Sequence, residues 1–179
     1  GHWSGILRCE CYGPMTTDLF GTPPPTKFTL ERPLAVFDLE TTGVRIGTDR
    51  IIQIGIMRLL PDGSREKYQT LVNPEMPIPT EATEVHGITD ADVADSSTLK
   101  DLAPIIIEEL AGCDLSGFNL LRFDVPFLAE ELHRVGFEWD HASSRIVDVQ
   151  RIYHKMEPRN LSAALKFYTG RDHEGAHDA

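Results

Sequence analysis

From Leu34 onward, apolar and polar residues follow periods that change along the chain. Leu34 to Glu40 is a short apolar run ending in the turn Thr41-Thr42-Gly43, and it predicts a strand. Arg50 to Leu60, rich in isoleucine, and Glu66 to Val72 predict two more, with Pro61-Asp62-Gly63 as a tight link. Links this short suit an antiparallel meander. Leu99 to Leu110 then repeats apolar residues at helical spacing until Gly112 stops it, and Asp114 to Phe118 returns to strand character. A helix over Val125 to Val135, a strand step over Arg145 to Val149 and a helix over Asn160 to Tyr168 complete the pattern. Three antiparallel strands followed by alternating helix and strand predict an α/β fold with a mixed sheet.

The first 30 residues lack this order. Residues 1 to 14 have neither period, and a polar segment from Met15 runs through Pro23, Pro24 and Pro25, as an extended linker does. This suggests a native start at Met15, with a leader of non-native origin before it. With 179 residues and 41% hydrophobic content, the chain has enough apolar surface for one core, placed at residues 31 to 179. No apolar run is long enough to span a bilayer, and no secretion signal opens the chain. Three cysteines make neither a disulfide framework nor a zinc set. A cytoplasmic location is expected. The net charge of −11 argues against a broad grip on nucleic acid, yet it is compatible with an acidic site whose bound cations face a phosphate.

Two motifs carry candidate chemistry. In VFDLETTG, Asp38 and Glu40 are two residues apart, so an extended backbone sends both carboxylates to one face. Acids within an apolar run are costly to bury unless paired or bound to a cation, and oxygen ligands suit Mg²⁺ or Mn²⁺. The same two acids also fit a solvated strand end. In GFNLLRFDVPFL, Asp124 stands where strand gives way to helix, and it would serve equally as a helix N-cap, with Pro126 in the first turn. Their joint occurrence favours three carboxylates on one rim of a sheet.

DLETTG, NLLRFD and the terminal RDHEGAHDA resemble motifs of the DnaQ-like family of DEDDh exonucleases, which includes the proofreading epsilon subunit of bacterial DNA polymerase III. EVHGITDADV, residues 84 to 93, resembles the family's connecting loop, and the likeness spans Leu34 to Ala179. It implies a ribonuclease H-like mixed sheet flanked by helices. It also implies two divalent ions, Mg²⁺ or Mn²⁺, held by Asp38, Glu40, Asp124 and a fourth acid, with a histidine as general base. The family pattern H-x-A-x-x-D fits His177, although its acid would then lie past Ala179. A start at His173 makes Asp178 the fourth acid, with Gly175 where the family has alanine. His177 is preferred, which suggests a chain cut short at its C-terminus.

By the same resemblance Thr41, Thr42 and Val44 line the pocket for the terminal nucleotide, Val85 and His86 meet it from the connecting loop, and Asn119 adds to it. The spacing from Asn119 to Asp124 is one residue longer than in the epsilon subunit. The implied activity is 3′-to-5′ hydrolysis of single-stranded DNA ends, as in proofreading or repair beside a DNA polymerase. RNA ends are the alternative, as for ribonuclease T and oligoribonuclease. A non-catalytic interaction module is the third reading, should the fourth acid be absent. Asp148, at the end of a strand, has no ligand role in the family. Asp90, Asp92 and Glu108 read as solvated.

Overall fold

The computed structural model describes residues 29–156. Its sheet has five strands: β1 (Leu34–Thr41), β2 (Ile51–Leu59), β3 (Arg65–Leu71), β4 (Asp114–Gly117) and β5 (Ile146–Asp148), in the order β3-β2-β1-β4-β5. β1, β2 and β3 form the antiparallel meander, while β4 pairs parallel with both β1 and β5. The mixed α/β sheet expected from the sequence is present. The helices are α1 (Thr80–His86), α2 (Asp90–Val93), α3 (Leu99–Leu110), α4 (Asp124–Arg134) and α5 (Val149–Met156). No described helix is long and apolar enough to cross a membrane.

Alternation along β1 explains its two roles. Ala35, Phe37 and Leu39 are buried, and they join Ile54 and Ile56 of β2 in a core completed by Leu102, Ala103 and Ile106 of α3 and Phe127, Leu128 and Leu132 of α4. The intervening Val36, Asp38 and Glu40 therefore leave the opposite face of the strand. One period both anchors the strand and presents its acids. Glu131 of α4 is only 1% exposed, and Arg134 and Arg50 hold it at 2.6 and 3.5 Å. Two guanidiniums thus compensate this buried carboxylate.

The predicted α3 matches its observed limits, with Thr98 and Asp101 closing a capping box at its start. The predicted helix over 160–168 lies outside the described residues. Three short helices had no clear signal. α1 and α2 carry too few apolar positions to show a period, and α5 follows its strand without a break. Val85 and His86 consequently sit on the last turn of α1, not in an irregular loop. Gly87, at φ 78°, ends that helix in the left-handed conformation that glycine adopts without strain.

A candidate metal-dependent active site

β1, β4 and β5 run parallel, so their C-terminal ends share one rim of the sheet. Ligand sites in open α/β sheets lie along such rims. β1 continues beyond its pairing with β4, which stops at Val36 with Ser116. The N–H of Leu39 is thereby free for a side chain, and it donates to Asp124 Oδ1 at 3.2 Å. Asp124 is the first residue of α4 and makes no side-chain cap there. The N-cap alternative fails because its carboxyl group reaches across to β1, bringing it near Asp38.

Electrostatics identify this as a strained acidic cluster. Burial pushes the Asp124 carboxyl up to about 7, and the charges of Asp38 and Asp148 add to the effect. Burial also raises Asp38, against the pull of the Leu39 backbone, and raises Glu40, with the charge of Asp38 as the further cause. Among the described residues, no Lys, Arg or His forms an ion pair with any of these three acids. Desolvated carboxylates without a protein counter-ion, offering only oxygen donors, fit a hard divalent cation such as Mg²⁺ or Mn²⁺. No three described acids or histidines close on a single point. His177, His173 and Asp178 lie outside the described residues.

The loop after β1 is built by its own polar groups. The Thr42 hydroxyl accepts the N–H of Arg50 at 2.9 Å, and the Thr42 N–H donates to the Arg50 carbonyl at 2.8 Å. Thr42 is buried, so its hydroxyl is engaged in closing β1 onto β2. Thr41 donates its hydroxyl to the Gly43 carbonyl at 2.6 Å. Asp49 folds back over Gly43 and accepts the N–H of Arg45 at 2.7 Å, and a Cβ at residue 43 would collide with its carboxylate. Gly43→Ala should therefore destabilise the fold by roughly 1–3 kcal/mol, measured by urea unfolding. An unchanged midpoint would mean that Asp49 swings away freely.

The remaining predicted contacts divide. Val44 and Val85 are 77% and 85% exposed, a state that suits a wall covered only when a strand end is bound. His86 is half-buried; its Nδ1 accepts the N–H of Ile88 at 3.0 Å. Its Nε2 is buried without a hydrogen bond, and the Thr41 carbonyl, though near enough to act on its charge, does not meet that atom in bonding geometry. Burial holds the ring below the usual histidine range. His86 is thus a neutral ring with an unsatisfied donor next to the β1 loop. Asn119, with φ at 60°, turns the chain out of β4, and its carbonyl accepts the N–H groups of Arg122 and Phe123.

Asp148, which has no ligand role in the family, has a structural one here. It is buried at the end of β5, and its two oxygens accept the N–H of Leu121 at 3.1 Å and of Arg151 at 3.3 Å. It ties the 119–124 loop, and with it Asp124, to β5. The signal was weak: a strand ending on an acid, as Asp38 and Glu40 also do. Asp90 and Asp92, read as solvated, support the connection between helices. Asp90 accepts the Ile78 N–H at 2.9 Å, and Asp92 completes a capping box with Thr89.

Known proteins resemble this chain in sequence and in fold. A 28% identical stretch covers 78% of the chain and 10% of a DNA polymerase III PolC-type protein of Caldanaerobacter subterraneus subsp. tengcongensis. A 38% identical stretch covers 59% of the chain and 15% of a DNA polymerase III subunit epsilon-like protein of Rhodobacter capsulatus. The DNA polymerase III subunit epsilon of Buchnera aphidicola is 29% identical over 70% of the chain and 57% of its own length. The chain thus spans less than two thirds of each of these relatives. Among solved structures, E. coli exonuclease I in complex with a dT13 oligonucleotide shares the fold, with a TM-score of 0.61 and 20% identity over 72% of the chain and 31% of that protein. The exonuclease model of the RNase T family matches residues 35–179, a span that takes in every motif above, and the chain belongs to that family, in the DnaQ-like group its motifs resemble.

Proposed function

We propose that this chain removes nucleotides one at a time from the 3′ ends of single-stranded DNA, as a proofreading or repair nuclease does. The observation that carries the reading is the set of Asp38, Glu40 and Asp124, three desolvated carboxylates along the rim of an exonuclease fold with no ion-pair partner among the described residues. DNA is favoured over RNA by relatives named for DNA polymerase III, and the same names make a polymerase subunit the candidate partner.

Asp38, Glu40 and Asp124 would hold two divalent ions, Mg²⁺ or Mn²⁺. When bound, such ions lower the pKa of water and stabilise the departing 3′ oxygen. The chain's own residues do the rest. Water oxygen attacks the terminal phosphorus, the bond from phosphorus to the 3′ oxygen breaks, and a nucleoside 5′-monophosphate leaves a new 3′ hydroxyl behind. His177, inside the family match, takes the proton from the attacking water. His86, Thr41, Val44, Val85 and Asn119 line the terminal-nucleotide pocket, with Thr42 closing the β1 loop behind it.

The test is a digest of 5′-labelled single-stranded DNA and RNA with Mg²⁺, Mn²⁺ or EDTA. A ladder shortening from the 3′ end of DNA, mononucleotide release and a block by EDTA are expected. Degradation of RNA alone would transfer the reading to an exoribonuclease, and no degradation of either with both metals would leave an interaction module. His177→Gln should lower turnover by about 10³-fold while a calorimetric Mg²⁺ titration stays within about twofold of the parent, because the base acts on water rather than on the ions. Full activity in that variant would remove His177 from the mechanism.

A further inference from the structure

A second feature of the same rim is cationic. Beyond β4 and β5, a cleft of about 270 Å³ is lined by Asn119, Arg122, Asp148, Gln150, Arg151 and His154, among others. Among the described arginines, Arg32, Arg45, Arg50, Arg58, Arg134 and Arg145 each hold a carboxylate. Arg65 on edge strand β3, Arg122 and Arg151 hold none among the described residues, and the last two line one cleft together with an acid. That acid, Asp148, directs both oxygens to backbone N–H groups. It is committed to the loop and leaves the guanidiniums available. In a chain of net charge −11, two arginines without an ion-pair partner among the described residues thus meet in one cleft, one two residues before Asp124 and the other three after Asp148. Guanidinium forks match phosphate oxygens, and amides such as those of Asn119 and Gln150 donate to the same atoms.

We propose that this cleft binds a backbone phosphate of the single strand upstream of the bond being cut, with Arg122 and Arg151 as its cationic contacts. The inference rests on the exonuclease reading for its substrate and adds a site that meets the terminal-nucleotide pocket at Asn119 and extends from it along Arg122 and Arg151. It explains how an acidic chain keeps hold of a polyanion between cuts. The carboxylates need cations to face the scissile phosphate, whereas the cleft supplies its own. DNA and RNA present the same phosphate here, so the cleft recognises a strand and not a sugar.

The experiment measures fluorescence anisotropy of a 5′-labelled oligothymidylate, and of the matching oligouridylate, each closed at its 3′ end with phosphorothioate linkages against degradation. The full chain is compared with Arg122→Gln/Arg151→Gln and with Arg65→Gln/Lys67→Gln, which removes the same charge from edge strand β3. The cleft variant should weaken Kd by about 10- to 100-fold, and its slope of log Kd against log salt should fall by about 0.7, the contribution of one phosphate contact on a single strand. The β3 variant should stay within about twofold of the parent, and both should melt as the parent does. Unchanged affinity and slope in the cleft variant, or equal weakening in the β3 variant, would overturn the proposal. Binding is read without turnover, so a parent that binds through the cleft yet cuts neither polymer sinks the exonuclease reading and leaves this site standing.

Discussion

Asp38→Asn should reduce release of mononucleotides from single-stranded DNA by about 10⁴-fold or more, with the protein still folded. The size follows from what the carboxylate is asked to do. Activating water and stabilising the leaving oxygen are each worth several kcal/mol, and every 1.36 kcal/mol of lost transition-state stabilisation is tenfold in rate. Asp38 contributes little to packing, because it leaves β1 on the face opposite Phe37 and Leu39. Its removal also relieves the charge that raises Asp124 and Glu40. The melting temperature of the metal-free variant should therefore equal or exceed that of the parent, while the calorimetric Mg²⁺ affinity drops. Loss of activity with a lower melting temperature would instead indicate damage to β1. Retention of a tenth or more of the parent rate would take Asp38 out of the site.

Much of this fold was legible because its period is simple where its burial is simple. β1 and β2 alternate or run apolar against a core covered by α3 and α4, and both helices carry apolar residues at the spacing that faces them. α1 and α2 were missed because Thr80–His86 buries no residue and Asp90–Val93 only Val93, which leaves no pattern to read. They are fixed instead by capping and by the Asp90 bond to Ile78.

The site was legible to the degree that chemistry and period coincide. Asp38 and Glu40 follow from a two-residue repeat. Asp124 could not be separated from a helix cap by sequence, since the choice depends on a bond across 85 positions to Leu39. Asp148 was set aside because the family has no ligand there, and its bonds to the N–H groups of Leu121 and Arg151 leave no mark in the sequence. Thr42 was read as a pocket residue, and the burial of its hydroxyl against Arg50 could not be anticipated from a Thr-Thr-Gly turn.

The cluster also makes folding stability depend on pH and metal together, and the dependence has a definite sign. A carboxyl at about 7 in the folded chain, against an ordinary 3.8, keeps a proton over an interval in which the unfolded chain has released it. The folded state then binds more protons than the unfolded state, so stability falls as pH rises through that interval. The contribution is present in full below the unfolded value and is gone above about 7. At about 1.4 kcal/mol per pKa unit the loss reaches about 4 kcal/mol, less whatever hydration and chain relaxation recover. For a domain of this size that is on the order of 10 °C in melting temperature. Asp38 and Glu40, raised by the same burial, act in the same direction. His86, held below its ordinary value, acts the other way, gaining stability as pH rises towards about 6.5.

Comparison with Asp124→Asn isolates the first effect, because asparagine keeps an oxygen for the Leu39 N–H and cannot ionise. Thermal melts in EDTA from about pH 5 to about pH 8 should fall for the parent and fall much less for the variant, which should be the more stable protein at the upper end. Saturating Mg²⁺ should reverse the order. A cation favours the ionised carboxylates, and its stabilisation grows with the ratio of its concentration to Kd. The parent should gain most where its metal-free form is weakest, above pH about 7, and the variant should gain little. A metal-free parent whose melting temperature climbs through this range faster than that of the variant, or a variant stabilised by Mg²⁺ as strongly as the parent, would show that Asp124 neither carries the buried charge nor holds the ion.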